Sequence, residues 1–567
     1  MSDPPRSSFD LLSEPWIVVR RLDGSSDELG ILDVVRQASA LRGVGGELPT
    51  TTFAVIRFLL AILHRSFVPD APPTVFWGSL WSADQLPAEV IESYLSQFAG
   101  RFDLLHSETP FYQVADLRSV GGGAAGLERL IADVPNGAQF FTTRAGAALR
   151  SIPFAEAARW LLHANAFDVA GIKSGAVGDS RVKGGKGYPI GTAWCGNIGG
   201  VLLEGDTLRE TLLLNLVLGD PLHDFSPLSE EDLPVWERPP LTAAVETCEG
   251  VPREWPEGPA DLYTWPSRRM RLVHDGRFVT GVILAIGDPL GPQNQFSEPM
   301  TTWRRSENQE KKRGGRVYMP RQHDPARSMW RGLASLIPHG VREQQRAEGV
   351  ASLAAGNLEW VRRLQETDFL GGPWLSPDRL LRTRAIGMEY GPQSSTVTEI
   401  VDDSLSVHAV LLGGAGSELA ARAVSAVGAA DLAVAAVVNL AGNLVTAAGG
   451  DNTAARDQAR HNAYFILDAP FRSWLGSLDL HTDALEALFD WYGIARQQLR
   501  AVADEILAAA GPGAWVGRNN HLGRHVDTAL ADLWFRSALS KALPFPKEFH
   551  DDLVSAPDLV TQGKESR

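Results

Sequence analysis

The segment Lys183-Gly-Gly-Lys-Gly-Tyr-Pro-Ile-Gly191 places four glycines and two lysines within nine residues, with Lys173 and Arg181 just upstream. Backbone stripped of Cβ atoms can approach a polyanion closely, and lysines beside it supply the opposite charge. A flexible surface loop accounts for the same string equally well. A second candidate is Tyr390-Gly-Pro-Gln-Ser394. Its Gly-Pro pair reads as a tight turn between Arg384–Glu389 and the β-favouring Ser395–Ile400, which presents Gln393 at a hairpin tip.

Patterns for bond-making chemistry fail at specific positions. Gly121-x-Gly123-x-x-Gly126 copies the dinucleotide fingerprint as a string, but Ala115–Ser119 ahead of it is not a β-branched strand. Gly185-Lys186 is followed by Gly187 where a phosphate-binding P-loop needs Ser or Thr, and Ser180 stands where its first glycine belongs. His223-Asp224, His323-Asp324 and His550-Asp551 pair groups that suit a divalent metal, yet 13 histidines among many aspartates form such pairs by chance. No Gly-x-Ser-x-Gly elbow and no His-Glu-x-x-His occurs. These residues predict no catalytic set, no metal and no cofactor.

The elements that must position the two turns read as mixed α and β. Trp16–Val19 is a short strand, and Thr52–Arg65 is a buried helix because its apolar run has no internal Gly or Pro. Eight prolines and an acidic excess between Pro221 and Pro259 predict an extended, surface-wrapping connector. From Trp303 to Arg331 the balance inverts: Arg304, Arg305, Lys311, Lys312, Arg313, Arg316, Arg321, Arg327 and Arg331 face only Glu307, Glu310 and Asp324. After about residue 405 the chain turns Ala-rich and helical, with candidates Ser417–Ala448, Thr453–Leu475, Ala484–Ala510 and Leu522–Leu543. The third carries an apolar seam at Leu485, Leu488, Tyr492, Ala495, Leu499, Val502 and Ile506, capped by Thr482 or Asp483. Short links favour antiparallel neighbours, so the expected fold is α+β: residues 1–404 as an irregular mixed domain and 405–567 as a four-helix bundle.

Composition sets outer bounds. The 567 residues are 44% hydrophobic and 21% charged, which fits a folded globular chain. The formal charge of −15 argues against nucleic acid on all sides but permits a local basic surface. Cys195 and Cys248 are too few for a disulfide framework or a cysteine zinc site, which points to a reducing cytoplasm. The start Met1-Ser-Asp-Pro-Pro-Arg6 lacks a signal-peptide layout. The apolar stretches Phe53–Leu63 and Ala429–Leu440 fall short of the roughly 20 residues a bilayer needs, so no membrane span is expected.

Several stretches, in matching order over nearly the whole chain, carry a resemblance. They are Phe9-Asp-Leu-Leu-Ser-Glu-Pro-Trp-Ile17, Glu47-Leu-Pro49, Thr109-Pro-Phe-Tyr-Gln113, the Lys183–Gly191 loop, Thr207-Leu-Arg-Glu-Thr-Leu-Leu-Leu-Asn-Leu216, Pro234-Val-Trp236, and Gly391-Pro-Gln393 ahead of a helical C-terminal region. Together they resemble the large subunit, often called CasA, of the type I-E CRISPR surveillance complex Cascade. The resemblance implies a wedge-shaped mixed domain plus a four-helix bundle, and a non-catalytic task. Such a subunit sits beside the 5′ handle of the guide RNA among the other Cascade subunits. It inspects double-stranded target DNA for a short protospacer-adjacent motif from the minor groove, whose degenerate pattern tolerates related motifs. Base pairing with the guide reads the rest, and a helicase-nuclease is recruited afterwards.

Carried over residue by residue, the resemblance assigns motif contact to Gly184, Gly185 and Lys186, and a strand-parting wedge to Gln393. It assigns docking on the guide handle and neighbouring subunits to Gln139, Phe140, Phe141, Thr142 and Thr143. A further motif-reaching cation falls nearest to Arg277, in the turn His274-Asp-Gly-Arg277. Lys173 and Lys183 are expected to add phosphate contacts, and Arg496, Arg500, Arg518 and Arg524 to flank the displaced strand. Some relatives carry a cysteine cluster that this chain lacks, so no zinc is expected. Two other readings stay open at this point: a stand-alone metal-dependent hydrolase, and a purely structural helical scaffold.

Overall fold

A helix that is apolar on every face is stable in water only at the centre of a protein. Pro49–Ser66 (α1) is such a helix, with 16 of its 18 residues buried and Pro49 pre-setting its first turn. The computed structural model describes residues 6–134, 142, 144, 146–220, 225–248, 250–338, 351–367, 371–519 and 523–545. They form two units. The first holds residues up to Met329 together with Ser335–Leu405, and the second holds Trp330–Ala334 together with the chain from Ser406 onward.

In the first unit, strand Ile17–Arg21 lies between Ser26–Leu29 and Leu41–Val44, both antiparallel to it. Phe58 of α1 meets Trp16, Phe111 and Trp236 with ring centroids 5.9, 5.5 and 5.7 Å away. Trp236 comes from the proline-rich segment expected to wrap the surface. Instead that segment is nailed to the core there, and Arg65 grips Glu237 through two bonds of 2.8 Å. Arg57, buried within α1, is neutralised by Glu298 at 2.7 Å, and the Trp194 indole N–H donates to the other Glu298 oxygen at 2.6 Å.

The elements that carry the two turns follow in chain order. Helix Phe154–Phe167 (α2) leads to the short antiparallel pair Lys173–Ser174 (β1) and Lys186–Gly187 (β2). Strand Gly200–Glu204 (β3) comes next. Then Arg268–His274 (β4) pairs with Val279–Ile286 (β5), from Arg268↔Ile286 to His274↔Val279. The long hairpin Leu380–Tyr390 (β6) and Val397–His408 (β7) joins β3 in a sheet ordered β7-β6-β3.

The second unit is helical: Ser417–Ala448 (α3), Thr453–Gly476 (α4), Ala484–Ala508 (α5) and Thr528–Ala542 (α6). Helix α3 packs on each of the other three. By length and composition Gly414–Ala448 would suffice to cross a membrane, contrary to expectation, but 61% of its most apolar window is buried against these neighbours. Asp483 caps α5, accepting from the Leu485 and Glu486 amides at 3.0 and 2.8 Å. The expected last helix starts late. Arg518–Asn519 and His525–Val526 first form a small hairpin, and Asp527 then caps α6 through the Leu530 amide at 2.8 Å. Trp330 belongs here because its ring stacks on Phe471 at 4.3 Å and its N–H reaches Asp468 at 2.9 Å.

One buried group in α1 titrates. Neither ring nitrogen of His64 has a hydrogen-bond partner, and burial pushes its pKa from 6.5 down to about 3. Its contribution is therefore intact above pH 6.5 and is lost as the pH falls toward 3, because the unfolded chain takes up the proton first. His64→Phe keeps a flat ring and removes both unpaired atoms, so it should stabilise the unit. Its advantage in urea unfolding should grow by about 2 kcal/mol between pH 7 and pH 5. Equal pH slopes for parent and variant would contradict a neutral, buried imidazole.

Candidate nucleic-acid interface

The glycine-rich loop is an ordered hairpin. Beyond β1 and β2, the Gly175 amide donates to the Gly185 carbonyl at 3.0 Å, and at the tip Lys183 and Lys186 exchange bonds of 3.1 and 3.2 Å. Gly184 and Gly185 have φ of +58° and +73°. Positive φ at both central residues is the signature of a type I′ turn, which glycine enters without strain. Lys183 and Lys186 flank it, both exposed. The sequence reading missed Gly175, where a Cβ would stand 2.6 Å from the Gly185 carbonyl oxygen. It also missed the neighbour strand. Val120 N–H donates to Gly175 at 2.8 Å and Val177 N–H to Arg118 at 2.9 Å, so the Gly121–Gly126 region is a loop edge beside the turn.

Gln393 occupies the tip of the β6–β7 hairpin. The Gly391 amide donates to the Thr396 carbonyl and the Ser394 amide to the Gly391 carbonyl, each at 2.9 Å. Gln393 and Ser394 have φ of +58° and +51°, a left-handed conformation that costs a side-chain-bearing residue about 1–2 kcal/mol. Gln393 is exposed. The turn is fastened below: the Ala170 amide donates to the Ser394 carbonyl at 2.7 Å, and the Tyr390 hydroxyl to the Phe167 carbonyl at 2.6 Å.

Both turns rise from one buried ionic knot. The Asp168 carboxylate binds Lys173 Nζ at 2.7 Å and the Arg268 guanidinium. Arg268 also donates to the carbonyls of Asp168, Val169 and Gly191 at 3.2, 3.0 and 3.0 Å. The Ala193 amide returns to the Asp168 carbonyl at 2.9 Å, which closes the loop that holds the glycine turn. Burial alone would raise the Asp168 pKa, but the charges of Lys173 and Arg268 outweigh it and hold the carboxyl below its usual range. Burial and Arg268 lower the Lys173 pKa despite Asp168. A cavity of about 70 Å³ beside the knot is lined by Asp168, Lys173, His163 and the hairpin residues Ser395–Val397.

The remaining candidates scatter. Lys173, expected as a phosphate contact, is 3% exposed in its side chain and engaged by Asp168, so it is a structural cation. Arg496 is likewise buried: it donates to the Leu543 carbonyl and lies 3.6 Å from the centre of the Phe545 ring. It faces the core because it belongs to the buried side of α5. Arg277 stands at the far end of the β4–β5 hairpin from Ile286, against which Gly187 packs. Seven register pairs, six steps of about 3.3 Å, lie between those ends, so Arg277 stands about 20 Å from the Ile286 end. Arg500, Arg518 and Arg524 are exposed, and Arg518 Nε donates to the Ala447 carbonyl at 3.2 Å near the end of α3. Gln139, Phe140, Phe141 and Thr143 lie outside the described residues; Thr142, which is described, accepts from the Arg144 amide at 3.1 Å.

His223-Asp224 and His550-Asp551 also lie outside the described residues, while the His323 ring bonds the Gly200 carbonyl at 2.9 Å. Among the described residues no three His, Cys, Asp or Glu side chains gather as metal ligands would. The basic Trp303–Arg331 stretch forms an antiparallel pair, Trp303–Arg305 and Tyr318–Pro320, joined through helix Glu307–Arg313. That helix buries none of its residues and ends in Lys311, Lys312 and Arg313.

The described residues thus define a two-unit α+β protein: a mixed unit that carries an exposed cationic turn, and a helical unit. The family model of CRISPR-associated protein Cse1 matches residues 10–503, and the chain belongs to that family. This bears out the resemblance read from the sequence. The crystal structure of Thermobifida fusca Cse1 is similar at a TM-score of 0.85 and 45% identity, covering 95% of this chain and 98% of that one. The CRISPR-associated protein CasA/Cse1 of Thermus thermophilus is 31% identical over 339 residues, a match spanning 58% of this chain and 60% of that protein's length. A chain of a CRISPR RNA-guided surveillance complex shares the fold at a TM-score of 0.64 and 19% identity, covering 89% of this chain and 99% of that one.

The close approach at Gly175 generates a test. Gly175→Ala should open the hairpin at a cost of about 1–3 kcal/mol, and hydrogen exchange at the Gly175 and Lys186 amides should accelerate at least tenfold. Unchanged protection there would show that the turn does not need the approach.

Proposed function

We propose that this chain is the large subunit of an RNA-guided surveillance complex, and that it recognises a short motif in duplex DNA from the minor groove and starts strand separation. The observation that carries this reading is the pairing of two exposed turns on one base: Lys183-Gly-Gly-Lys186, cationic and free of Cβ atoms at its tip, and the strained Gln393 tip tied to Ala170. The first suits close approach to a groove with lysines on the flanking phosphates. The second sets a side chain with both donor and acceptor on a short lever, able to replace base-edge hydrogen bonds as a pair opens.

In this reading the subunit performs no catalysis and works in the cytoplasm. It joins the guide RNA handle and other Cascade subunits, and supports recruitment of the helicase-nuclease. Lys311 and Lys312 add sequence-independent contact with the DNA backbone, and Arg500, Arg518 and Arg524 are the remaining candidates for the displaced strand. The family membership and the surveillance-complex chain of the same fold support the assignment to such a complex.

Unstacking a base step costs a few kcal/mol, while exchange of the DNA duplex for the guide heteroduplex is nearly balanced, so a wedge acts on the slow first step. In the reconstituted complex, Gln393→Ala should slow opening of an intact duplex by about tenfold or more. It should change binding by less than about twofold on a target mismatched beside the motif or supplied as a single strand. An equal loss on all three substrates would make Gln393 a folding or assembly residue. Lys183→Ala and Lys186→Ala should each lower the slope of log K against log salt by about one, with assembly intact. If they release the subunit from the complex instead, the turn is structural.

A further inference from the structure

The hydrogen bonds around Asp168 reach both turns. Segment 168–193 holds the glycine turn, and its two ends are drawn together by Arg268, which bonds the Asp168, Val169 and Gly191 carbonyls at once. The residues on either side of Asp168 also hold the wedge: the Ala170 N–H donates to the Ser394 carbonyl at 2.7 Å, and the Tyr390 hydroxyl donates to the Phe167 carbonyl at 2.6 Å. Lys173 ties β1, the first strand of the glycine hairpin, to the same carboxylate at 2.7 Å. Every link lies within 3.2 Å, and most are part-buried. Arg268 is 1% exposed, and a planar guanidinium that serves a carboxylate and four carbonyls, Ser267 included, has no substitute among the common cations.

We propose that Arg268 and Asp168 are positioning residues that fix the glycine turn and the Gln393 tip in one rigid relation, so that motif contact and strand opening occur as a single coupled event. This rests on the function proposed above for the two turns. A displacement of Lys183–Lys186 in the groove is transmitted through β1 to Asp168, and from residues 167–170 to the hairpin that ends in Gln393. The cavity beside the knot is lined by both Lys173 and Ser395–Val397, so packing between the two turns is incomplete there.

Coupling makes a specific demand on a double-mutant cycle in the reconstituted complex. Arg268→Lys keeps the charge for Asp168 but cannot reach four carbonyls, so opening of an intact, motif-bearing duplex should slow about tenfold. In that background Gln393→Ala should slow it by less than a further twofold, because a wedge out of register has little left to lose. Tyr390→Phe removes one hydroxyl and keeps the ring, and it should show the same non-additivity even if Arg268→Lys fails to fold. Discrimination between motif and scrambled-motif duplexes should fall together with opening in both variants, a change that mere destabilisation of the subunit does not produce.

The proposal is overturned if the effects of Gln393→Ala multiply in full with those of Tyr390→Phe, or with those of a folded Arg268→Lys, since the turns then act independently. It is likewise overturned if Tyr390→Phe leaves both opening and discrimination unchanged. A separate failure is distinguishable: if Gln393→Ala alone has no effect on intact duplex, the wedge reading itself is wrong, whatever the clasp does.

Discussion

Asp168 is one carboxylate shared by two buried cations, and the geometry of both candidate turns depends on it. Burying such charges is costly, and removing one partner of a buried pair typically costs about 3–5 kcal/mol. Here the excess positive charge is spread over backbone carbonyls that Arg268 gathers from Asp168, Val169 and Gly191. The arrangement converts an electrostatic requirement into a shape. Those carbonyls must converge on one guanidinium, so the loop between them must close and its hairpin must project.

The projecting parts answer to different physics. At Gly184 and Gly185 positive φ comes without strain, and the lysines on either side face solvent, so this turn is a stable, cationic edge. At Gln393 and Ser394 the same backbone region is strained, and it persists because Gly391, Thr396 and Ala170 hold the turn by hydrogen bonds. On the function proposed above, that backbone holds the exposed Gln393 side chain at the tip of its hairpin. The net charge of −15 is no obstacle to a local cationic surface, such as Lys183 and Lys186 on the glycine turn or Lys311, Lys312 and Arg313 at one helix end.

Much of this was legible from residue types at short range. Glycine pairs and Gly-Pro predict turns wherever they stand, so the hairpin tip at Gln393 could be read directly, whereas the segment around Gly184 read only as a glycine-rich loop. The 3.6-residue period and caps located α3, α4 and α5 nearly to the residue, and Asp483 served as the cap. What could not be read depends on partners distant in sequence. Lys173 looks like a free cation until Arg268 and Asp168 are known to enclose it. Arg496 reads as a surface charge until α5 is turned to show it beside Leu543. Trp236, in the expected connector, and Trp330, in the basic stretch, are core residues of the first and second unit respectively. Gly175 was overlooked because close approach of two backbones leaves no local signature. The late start of α6 follows from Asp527, a cap that competed with an apparently continuous helical pattern.

The central claim is that the glycine turn and the Gln393 tip address the same few base pairs of a motif-bearing duplex. Cys195 is buried and Cys248 exposed, so a Cys248→Ser background leaves room for one reporter thiol at a time. Lys186→Cys and Gln393→Cys, each assembled into the complex and offered duplexes with a thiol-reactive base analogue at successive positions, give a cross-linking map. The account predicts that both thiols capture DNA, Lys186→Cys within the motif and Gln393→Cys at the first pairs beside it, and only when the motif is present. Cross-links at sites that do not adjoin one another, or capture that ignores the motif, would contradict it.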